Sequence, residues 1–213
     1  MKMNNIEKKI LSLCKRGKIF RFFTRLKFSL IPFNKISELL PDEGQIYELG
    51  SGYGFEAAYL ALDKPGRVVT GIDIDKKRVE TAKNITEKVS NLRFSCADIK
   101  EVDLSESNGI LMVSFLHHLQ YPDQVALIKK CYDSLTANGT LLILDPVNHP
   151  PFKNFMNWLS DWLLYPFSDK AFLRSKDDLV DLVESAGFDA RGEIEKSSGW
   201  GLFSYALVVG KKL

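Results

Sequence analysis

Residues 45–54 read Gln-Ile-Tyr-Glu-Leu-Gly-Ser-Gly-Tyr-Gly, a short apolar run that leads into a turn with three glycines. Glycine has no Cβ, so Gly50, Gly52 and Gly54 permit positive φ and let the backbone come close to a bound group. The turn is therefore predicted to leave a strand sharply and to cradle a nucleotide. Its spacing differs from the dinucleotide pattern G-x-G-x-x-G, because the third glycine of that pattern would fall at Phe55.

Further apolar, β-branched runs downstream end in polar residues, as expected of parallel strands that finish at one edge of a sheet. They are residues 67–73, 92–98, 109–114 and 139–145, and they end in Asp73, Asp98, Ser114 and Asp145. Asp73 lies about 20 residues beyond the glycine turn, where a carboxylate can accept both hydroxyl protons of a ribose. Asp75 is the rival, but the alternation of Ile72, Asp73 and Ile74 favours Asp73.

Together, the acid at Glu48 and the strand-ending acids resemble the class I S-adenosylmethionine-dependent methyltransferases, whose motif I has this spacing. The resemblance covers roughly residues 45–213. The phrases LHHL at 116–119, SLTANGTLLILD at 134–145 and SAGF at 185–188 are similar to the small-molecule and lipid branch, methyltransferase types 11 and 12. The chain departs from that family at 137–139, where Ala-Asn-Gly replaces the usual Pro-Gly-Gly.

The resemblance implies a cofactor, S-adenosyl-L-methionine, and a set of contacts for it. It implies that Glu48 reaches the methionine end and that Asp98 lies beside the adenine amino group. The full set that it implies is Glu48, Gly50, Ser51, Gly52, Tyr53, Asp73, Ile74, Asp98, Ile99 and Ser114.

The predicted fold class is α/β, a Rossmann-like methyltransferase sandwich with a mostly parallel seven-stranded sheet and helices on both faces. Strands that alternate with helices demand right-handed crossovers, hence parallel pairing. A C-terminal antiparallel hairpin is predicted from strands at about 188–196 and 202–210, joined across residues 197–201.

Methyl transfer from a sulfonium is an in-line displacement that mainly needs alignment and exclusion of water. If the acceptor is a hydroxyl, a general base with a near-neutral pKa would help. His117 and His118 follow the fourth strand and His149 follows the fifth, so these three are the candidate catalytic residues. The opposing interpretation of each is a histidine that only packs or hydrogen-bonds within the domain.

The N-terminal 30 residues carry a net charge of +8, whereas the remaining 183 carry −6. Within this arm, the apolar residues Ile19, Phe22, Phe23, Leu26 and Leu30 have helical spacing, with Lys18, Arg21 and Arg25 on one flank. Pro32 is expected to end that helix, and a short helix is predicted from 34 to 40. We therefore predict a basic amphipathic arm or lid at 1–41 and a methyltransferase domain at 42–213, with an apolar insertion at about 150–172.

Three interpretations of the arm remain open: a lid over the cofactor cleft, a helix on an anionic membrane surface, and a grip on nucleic acid. The Phe-rich and Trp-rich insertion favours a small-molecule or lipid-like acceptor, methylated at oxygen. Amino-group methylation of DNA is disfavoured, because Ser114-Phe-Leu-His stands where such enzymes have Asn/Asp-Pro-Pro-Tyr. The alternatives are an RNA methyltransferase that uses the arm, and a non-catalytic protein that binds S-adenosylmethionine.

Three scattered cysteines, Cys14, Cys96 and Cys131, imply neither a disulfide framework nor a metal site. Cys96 is predicted to lie inside the third strand as a small core residue. No apolar run approaches the roughly 20 residues that span a bilayer, and no signal peptide is recognised. The expected location is the cytoplasm, with peripheral membrane contact through residues 1–30 as the open addition.

Overall fold

The structure is a computed structural model that describes residues 3–13, 17–86, 88–147, 171–196 and 204–213. Its sheet has seven strands in the order β3-β2-β1-β4-β5-β7-β6. The strands are β1 (Gly44–Leu49), β2 (Arg67–Asp73), β3 (Leu92–Cys96), β4 (Ser107–Val113), β5 (Leu135–Pro146), β6 (Asp189–Lys196) and β7 (Ser204–Lys211). The first five are parallel, and β7 pairs antiparallel with both β5 and β6. The predicted mostly parallel sheet with an antiparallel C-terminal pair is confirmed.

The helices of the described residues are α1 (Asn5–Leu13), α2 (Lys18–Leu30), α3 (Phe33–Leu39), α4 (Phe55–Asp63), α5 (Lys76–Thr86), α6 (Tyr121–Ser134) and α7 (Lys176–Ser185). A single 3-10 turn, Leu116–His118, follows β4. The sheet is apolar on both faces: Leu111 and Val113 face one core, and Ile110 and Met112 face the other. Helices therefore cover both sides, with α1–α5 on the first core and α6 and α7 on the second.

A buried arginine attaches α3 to the sheet. Arg67 begins β2 and has no exposed surface. Its guanidinium donates to the Ser37 carbonyl at 2.6 Å, to the Ser37 hydroxyl at 2.7 Å and, through Nε, to the Pro41 carbonyl at 2.7 Å. Burial lowers the pKa of Arg67, and these acceptors satisfy the buried donors. The segment that joins the N-terminal arm to β1 is therefore fixed.

The side of α2 that packs matches the predicted apolar stripe only in part, since Leu30 of that stripe is buried. Phe28 and Thr24 are each 2% exposed and face the first core, whereas Phe22 of the predicted stripe is 63% exposed. The ring of Phe20 contacts Tyr53 in a T-shaped arrangement, with ring centroids 4.9 Å apart. Aromatic residues occur all round this helix, so periodicity alone did not identify the buried side.

Cys96 is exposed at the end of β3, not a core residue as predicted. Cys131 of α6 is buried, and burial raises its pKa to about 12. His149, most of the predicted insertion at 150–172 and the predicted 197–201 turn lie outside the described residues. Within those residues, no helix is both long and apolar enough to cross a bilayer.

Candidate cofactor and active site

The glycine turn joins β1 to α4 and is held by the end of β2. The amides of Gly50 and Ser51 both donate to the Ile72 carbonyl, at 2.8 and 2.9 Å, and the Gly54 amide donates to the Ser51 carbonyl at 2.8 Å. Gly50, Gly52 and Gly54 have φ of +74°, +52° and +76°, the left-handed region that only glycine adopts readily.

The glycines of this turn differ in what surrounds them. A Cβ on Gly50 would lie 2.1 Å from the Phe115 ring, and a Cβ on Gly54 would lie 2.1 Å from the Phe94 ring. A Cβ on Gly52 would meet nothing within 4 Å. Gly50 and Gly54 are thus required by packing, whereas Gly52 faces open space where a ligand can approach the backbone.

Asp73 lies next to this opening and is 7% exposed. Its Oδ2 accepts from the Gly52 amide at 2.7 Å, and its Oδ1 accepts from the Asp75 amide at 2.8 Å. Each carboxylate oxygen has a second lone pair, so both remain able to accept from a vicinal diol. Asp75 instead accepts from the Lys77 and Arg78 amides at the start of α5. This geometry supports Asp73 as the ribose partner and gives Asp75 a helix-capping role.

Two more predicted contacts lie along the same edge of the sheet. The side chain of Ile74 is 73% exposed, although it directly follows a buried strand. Asp98 follows β3, the strand adjacent to β2, and its Oδ1 accepts from the Lys100 amide at 2.9 Å. An exposed apolar side chain at this edge can cover the face of a flat heterocycle, and a carboxylate after the adjacent strand can accept from an exocyclic amino group. Ile99 is buried, and Ser114 has a φ of +49° at the end of β4.

Glu48 points beneath the turn. Its side chain is buried, and its Oε2 accepts from the Ala57 amide of α4 at 2.8 Å. Burial raises the pKa of Glu48 well above its ordinary value; the charge of Glu56 adds to this effect and the charge of Lys27 opposes it. Lys27 of α2 lies 2.8 Å from Oε1 of Glu56, which is also buried. Glu48, the acid that the resemblance assigned to the methionine end, is therefore one of two buried glutamates that interact with Lys27 of the arm.

The histidine turn after β4 is held by Asp145, the last acid of β5. Asp145 accepts from the amides of Phe115 and His117, at 3.0 and 2.9 Å, and its Oδ1 lies 3.0 Å from Nδ1 of His117. His117 is 1% exposed, and its carbonyl accepts from the Phe172 amide at 2.7 Å. These contacts give His117 the surroundings of a residue that holds this turn in place.

His118 has different surroundings. Its ring lies against that of His117, with centroids 4.0 Å apart. Burial, together with the smaller effects of His117 and Arg78 and against that of Asp145, lowers the pKa of His118 from 6.5 to about 4. The imidazole is therefore neutral at neutral pH and accepts a proton only weakly. The sequence places Asp145 at the end of an apolar strand, but nothing in its pattern indicates that Asp145 fixes this turn.

The structure brings the predicted cofactor residues to neighbouring strand ends, because β3, β2, β1 and β4 are adjacent in the sheet. Lys27, Phe20 and Phe115 contact the same region and were not among the predicted site residues. No group of three or more His, Cys, Asp or Glu side chains that could hold a metal occurs among the described residues.

Comparison with known proteins shows what this chain is similar to. Residues 46–139 match the model of the methyltransferase domain. The carboxy-S-adenosyl-L-methionine synthase of Helicobacter pylori strain HPAG1 is 29% identical over 111 residues, which cover 51% of this chain and 46% of that protein. The trans-aconitate 2-methyltransferase of Deinococcus radiodurans is 31% identical over 124 residues, 55% of this chain and 45% of that protein. The matches thus cover less than half the length of these relatives.

Among solved structures, human N-acetylserotonin methyltransferase in complex with S-adenosylmethionine superimposes with a TM-score of 0.67 at 17% identity, covering 97% of this chain and 56% of that one. The pyocyanin biosynthetic protein PhzM gives a TM-score of 0.69 at 18% identity, covering 96% and 61%. These likenesses show a Rossmann-like methyltransferase fold. With the domain match, residues 46–139 are a methyltransferase domain, and the chain is similar to S-adenosylmethionine-dependent methyltransferases, a similarity that indicates S-adenosylmethionine as the cofactor.

Proposed function

We propose that this chain transfers the methyl group of S-adenosylmethionine to an oxygen of a small-molecule or lipid-like acid. The observation that carries this proposal is the cradle at the carboxyl edge of the sheet. There the open side of Gly52 lies beside Asp73, whose carboxylate already orders the turn through the Gly52 amide at 2.7 Å. When bound, the cofactor would supply an electrophilic methyl group on a sulfonium.

The role of this chain is then to bind, align and exclude water. Asp73 would accept the ribose hydroxyl protons, Ile74 would cover one face of the adenine, and Asp98 would accept from its amino group. The arm would cover the turn from the side of Phe20, whose ring already packs on Tyr53.

The choice of an acid as acceptor follows from the two candidate bases that lie among the described residues, His117 and His118. With a pKa of about 4, His118 is a poor base for an aliphatic alcohol. His117 is only 1% exposed, so its ring is closed to an acceptor that approaches from solvent. An oxygen that is already ionised at neutral pH, such as a carboxylate or an acidic phenol, needs no proton acceptor. The Deinococcus relative is named for such a substrate, trans-aconitate.

Calorimetric titration with S-adenosylmethionine and S-adenosylhomocysteine, with NAD as the control, tests the cofactor half of the proposal. We expect micromolar-range binding of the first two alone. Labelled methyl transfer to a fatty acid and to the fatty alcohol of the same chain length then tests the acceptor half. Faster methylation of the alcohol would contradict the acidic acceptor, and binding of NAD alone would contradict the cofactor.

The +8 charge of residues 1–30 favours a second candidate, methylation of RNA held by the arm. Phosphate contacts make binding fall steeply with salt. RNA affinity that drops by orders of magnitude between low and physiological salt, together with methyl transfer to that RNA, would favour this candidate over the acid. Tight cofactor binding without transfer to any acceptor class would instead favour a non-catalytic binding protein.

A further inference from the structure

Helix α2 has two different faces. Phe20, Thr24, Lys27 and Phe28 lie toward the domain, where Phe20 contacts Tyr53 and Lys27 pairs with Glu56. The other side carries Arg21, Phe22, Arg25 and Leu26, at spacings of one, three and four residues that place them on one stripe. We call this stripe the outer face.

The outer face combines apolar and basic groups. Phe22 is 63% exposed, Arg25 is exposed, and Arg21 and Leu26 are partly exposed. Phe22 remains 63% exposed, whereas Phe28 of the same helix is 2% exposed and Phe20 packs against the core, so Phe22 forgoes the free energy of burial. Arginines one turn apart flank this apolar pair, which is the arrangement of helices that lie in a membrane interface.

The charge distribution selects the kind of surface. Residues 1–30 carry +8 and the remainder −6, so an anionic surface attracts the arm and repels the body. Screening limits this attraction to about 8 Å at physiological ionic strength, and therefore only the side of the molecule that presents the arm is drawn in. Leu26 cannot stack on a nucleobase, whereas acyl chains accommodate both it and Phe22.

We infer that the outer face of α2 docks on an anionic lipid bilayer. The inference rests on the proposed function for its consequence: the inner face of the same helix contacts the glycine turn, so docking brings the cofactor cleft within about one helix diameter, ~10 Å, of the lipid. A lipid-like acid would then reach the site from the bilayer without crossing water.

Co-sedimentation of the full chain with phosphatidylcholine vesicles, with and without phosphatidylglycerol, tests the docking. We expect binding only to the anionic vesicles. Phe22→Ser should weaken it on the order of tenfold, from the lost burial of one ring, and Arg25→Ala about fivefold, from the loss of one cation near an anionic surface.

The matched controls are Val125→Ser and Lys129→Ala on α6, a helix of the opposite layer. Val125 is 50% exposed, and the Lys129 side chain is 58% exposed. Both controls should bind vesicles like the wild type. Equal binding to neutral and anionic vesicles, no binding to either, or Phe22→Ser and Arg25→Ala binding like the controls would each overturn the inference.

Binding of an RNA oligonucleotide at the same ionic strength tests whether the outer face binds nucleic acid instead of lipid. If it binds more tightly than the anionic vesicles and loses affinity in Phe22→Ser and Arg25→Ala, the face is a nucleic-acid surface and the membrane inference is wrong. Titration of the same proteins with S-adenosylmethionine keeps the two proposals apart. Cofactor binding without vesicle binding removes only the docking, and vesicle binding without cofactor binding removes only the proposed function.

Discussion

Replacing Lys27 by methionine should destabilise the protein through two buried carboxylates. Lys27 lies 2.8 Å from Oε1 of Glu56, which is 1% exposed, and its charge also lowers the raised pKa of the adjacent Glu48, which is 2% exposed. Breaking a buried pair by removing one partner typically costs about 3–5 kcal/mol. Protonation of one carboxyl will relieve part of this, so we expect a loss of about 3 kcal/mol at neutral pH.

The pH dependence has a definite sign. A carboxyl whose pKa is raised by folding binds a proton more tightly in the native state than in the unfolded one, so stability falls as pH rises from the ordinary pKa toward the raised one. Lys27→Met raises the pKa of Glu48 further, because the positive charge that opposes the effect of burial is lost. We therefore expect the deficit of the variant to be largest at neutral pH and to shrink as the pH approaches about 5.

Urea unfolding followed by far-ultraviolet circular dichroism measures this loss. The matched control is Lys64→Met, which removes a lysine 3.2 Å from Asp42 in a pair whose aspartate is 69% exposed and should cost less than about 1 kcal/mol. Lys27→Met combined with Glu56→Gln should recover most of the stability, because the amide removes the stranded charge. A deficit below about 1 kcal/mol at neutral pH, or no recovery in the double variant, would refute the assignment of a buried ion pair.

Three further predictions concern the site itself. Gly52→Ala should weaken cofactor binding while lowering the free energy of unfolding by only about 1–2 kcal/mol, because of its φ of +52°. Gly54→Ala should destabilise the fold more, because its Cβ would lie 2.1 Å from an aromatic ring. Calorimetry measures the binding and urea unfolding the stability, and equal effects of the two variants on both quantities would contradict an opening at Gly52. Asp73→Asn should lower cofactor affinity on the order of tenfold or more, because hydrogen bonds to a charged group are lost. Asp75→Asn, which keeps a helix-capping side chain, should bind the cofactor nearly normally. A larger loss of affinity in Asp75→Asn would indicate that Asp75 contacts the ribose instead. His118 should remain neutral in an NMR titration until the pH approaches about 4, and a titration midpoint near 6.5 would contradict the effect of burial. Because its pKa is depressed in the folded state, the free energy of unfolding should fall as pH drops from about 6.5 toward 4. If this fall is absent in His118→Ala, it is due to His118.

The sheet edge that carries the candidate cofactor site was predictable because its signals are local. The three glycines, the acid at Asp73 and the exposed Ile74 occur within or directly after a strand, and parallel strands bring such ends together by topology alone. The strand limits of β2 were predicted to the residue. β5 begins at Leu135 instead of 139, because Leu135 already pairs with Ser107 of β4, before a register shift that leads to the pairing of Gly109 with Thr140.

What the sequence did not provide is contact between distant segments. Lys27 and Glu56 are 29 residues apart, and nothing in the spacing of either indicates that they form a buried pair. The link from Asp145 to His117 spans 28 residues, and it fixes the turn that carries this candidate base. The buried side of α2 was equally hidden, because phenylalanines occur on both faces of the helix.

These contacts limit how far the arm can act as a lid. Opening α2 over its whole length would separate Lys27 from Glu56 and leave carboxylates buried beneath the glycine turn, at the cost of about 3–5 kcal/mol that applies to any broken buried pair. It would also uncover Phe28, which is 2% exposed and whose ring lies 5.0 Å from that of Phe33. The C-terminal half of α2 is therefore a fixed part of the domain, and any gating motion is confined to the half that contains Phe20. A rigid helix with one end on the cofactor turn and basic, apolar side chains on its outer side is better suited to hold the cleft against a surface than to swing away from it.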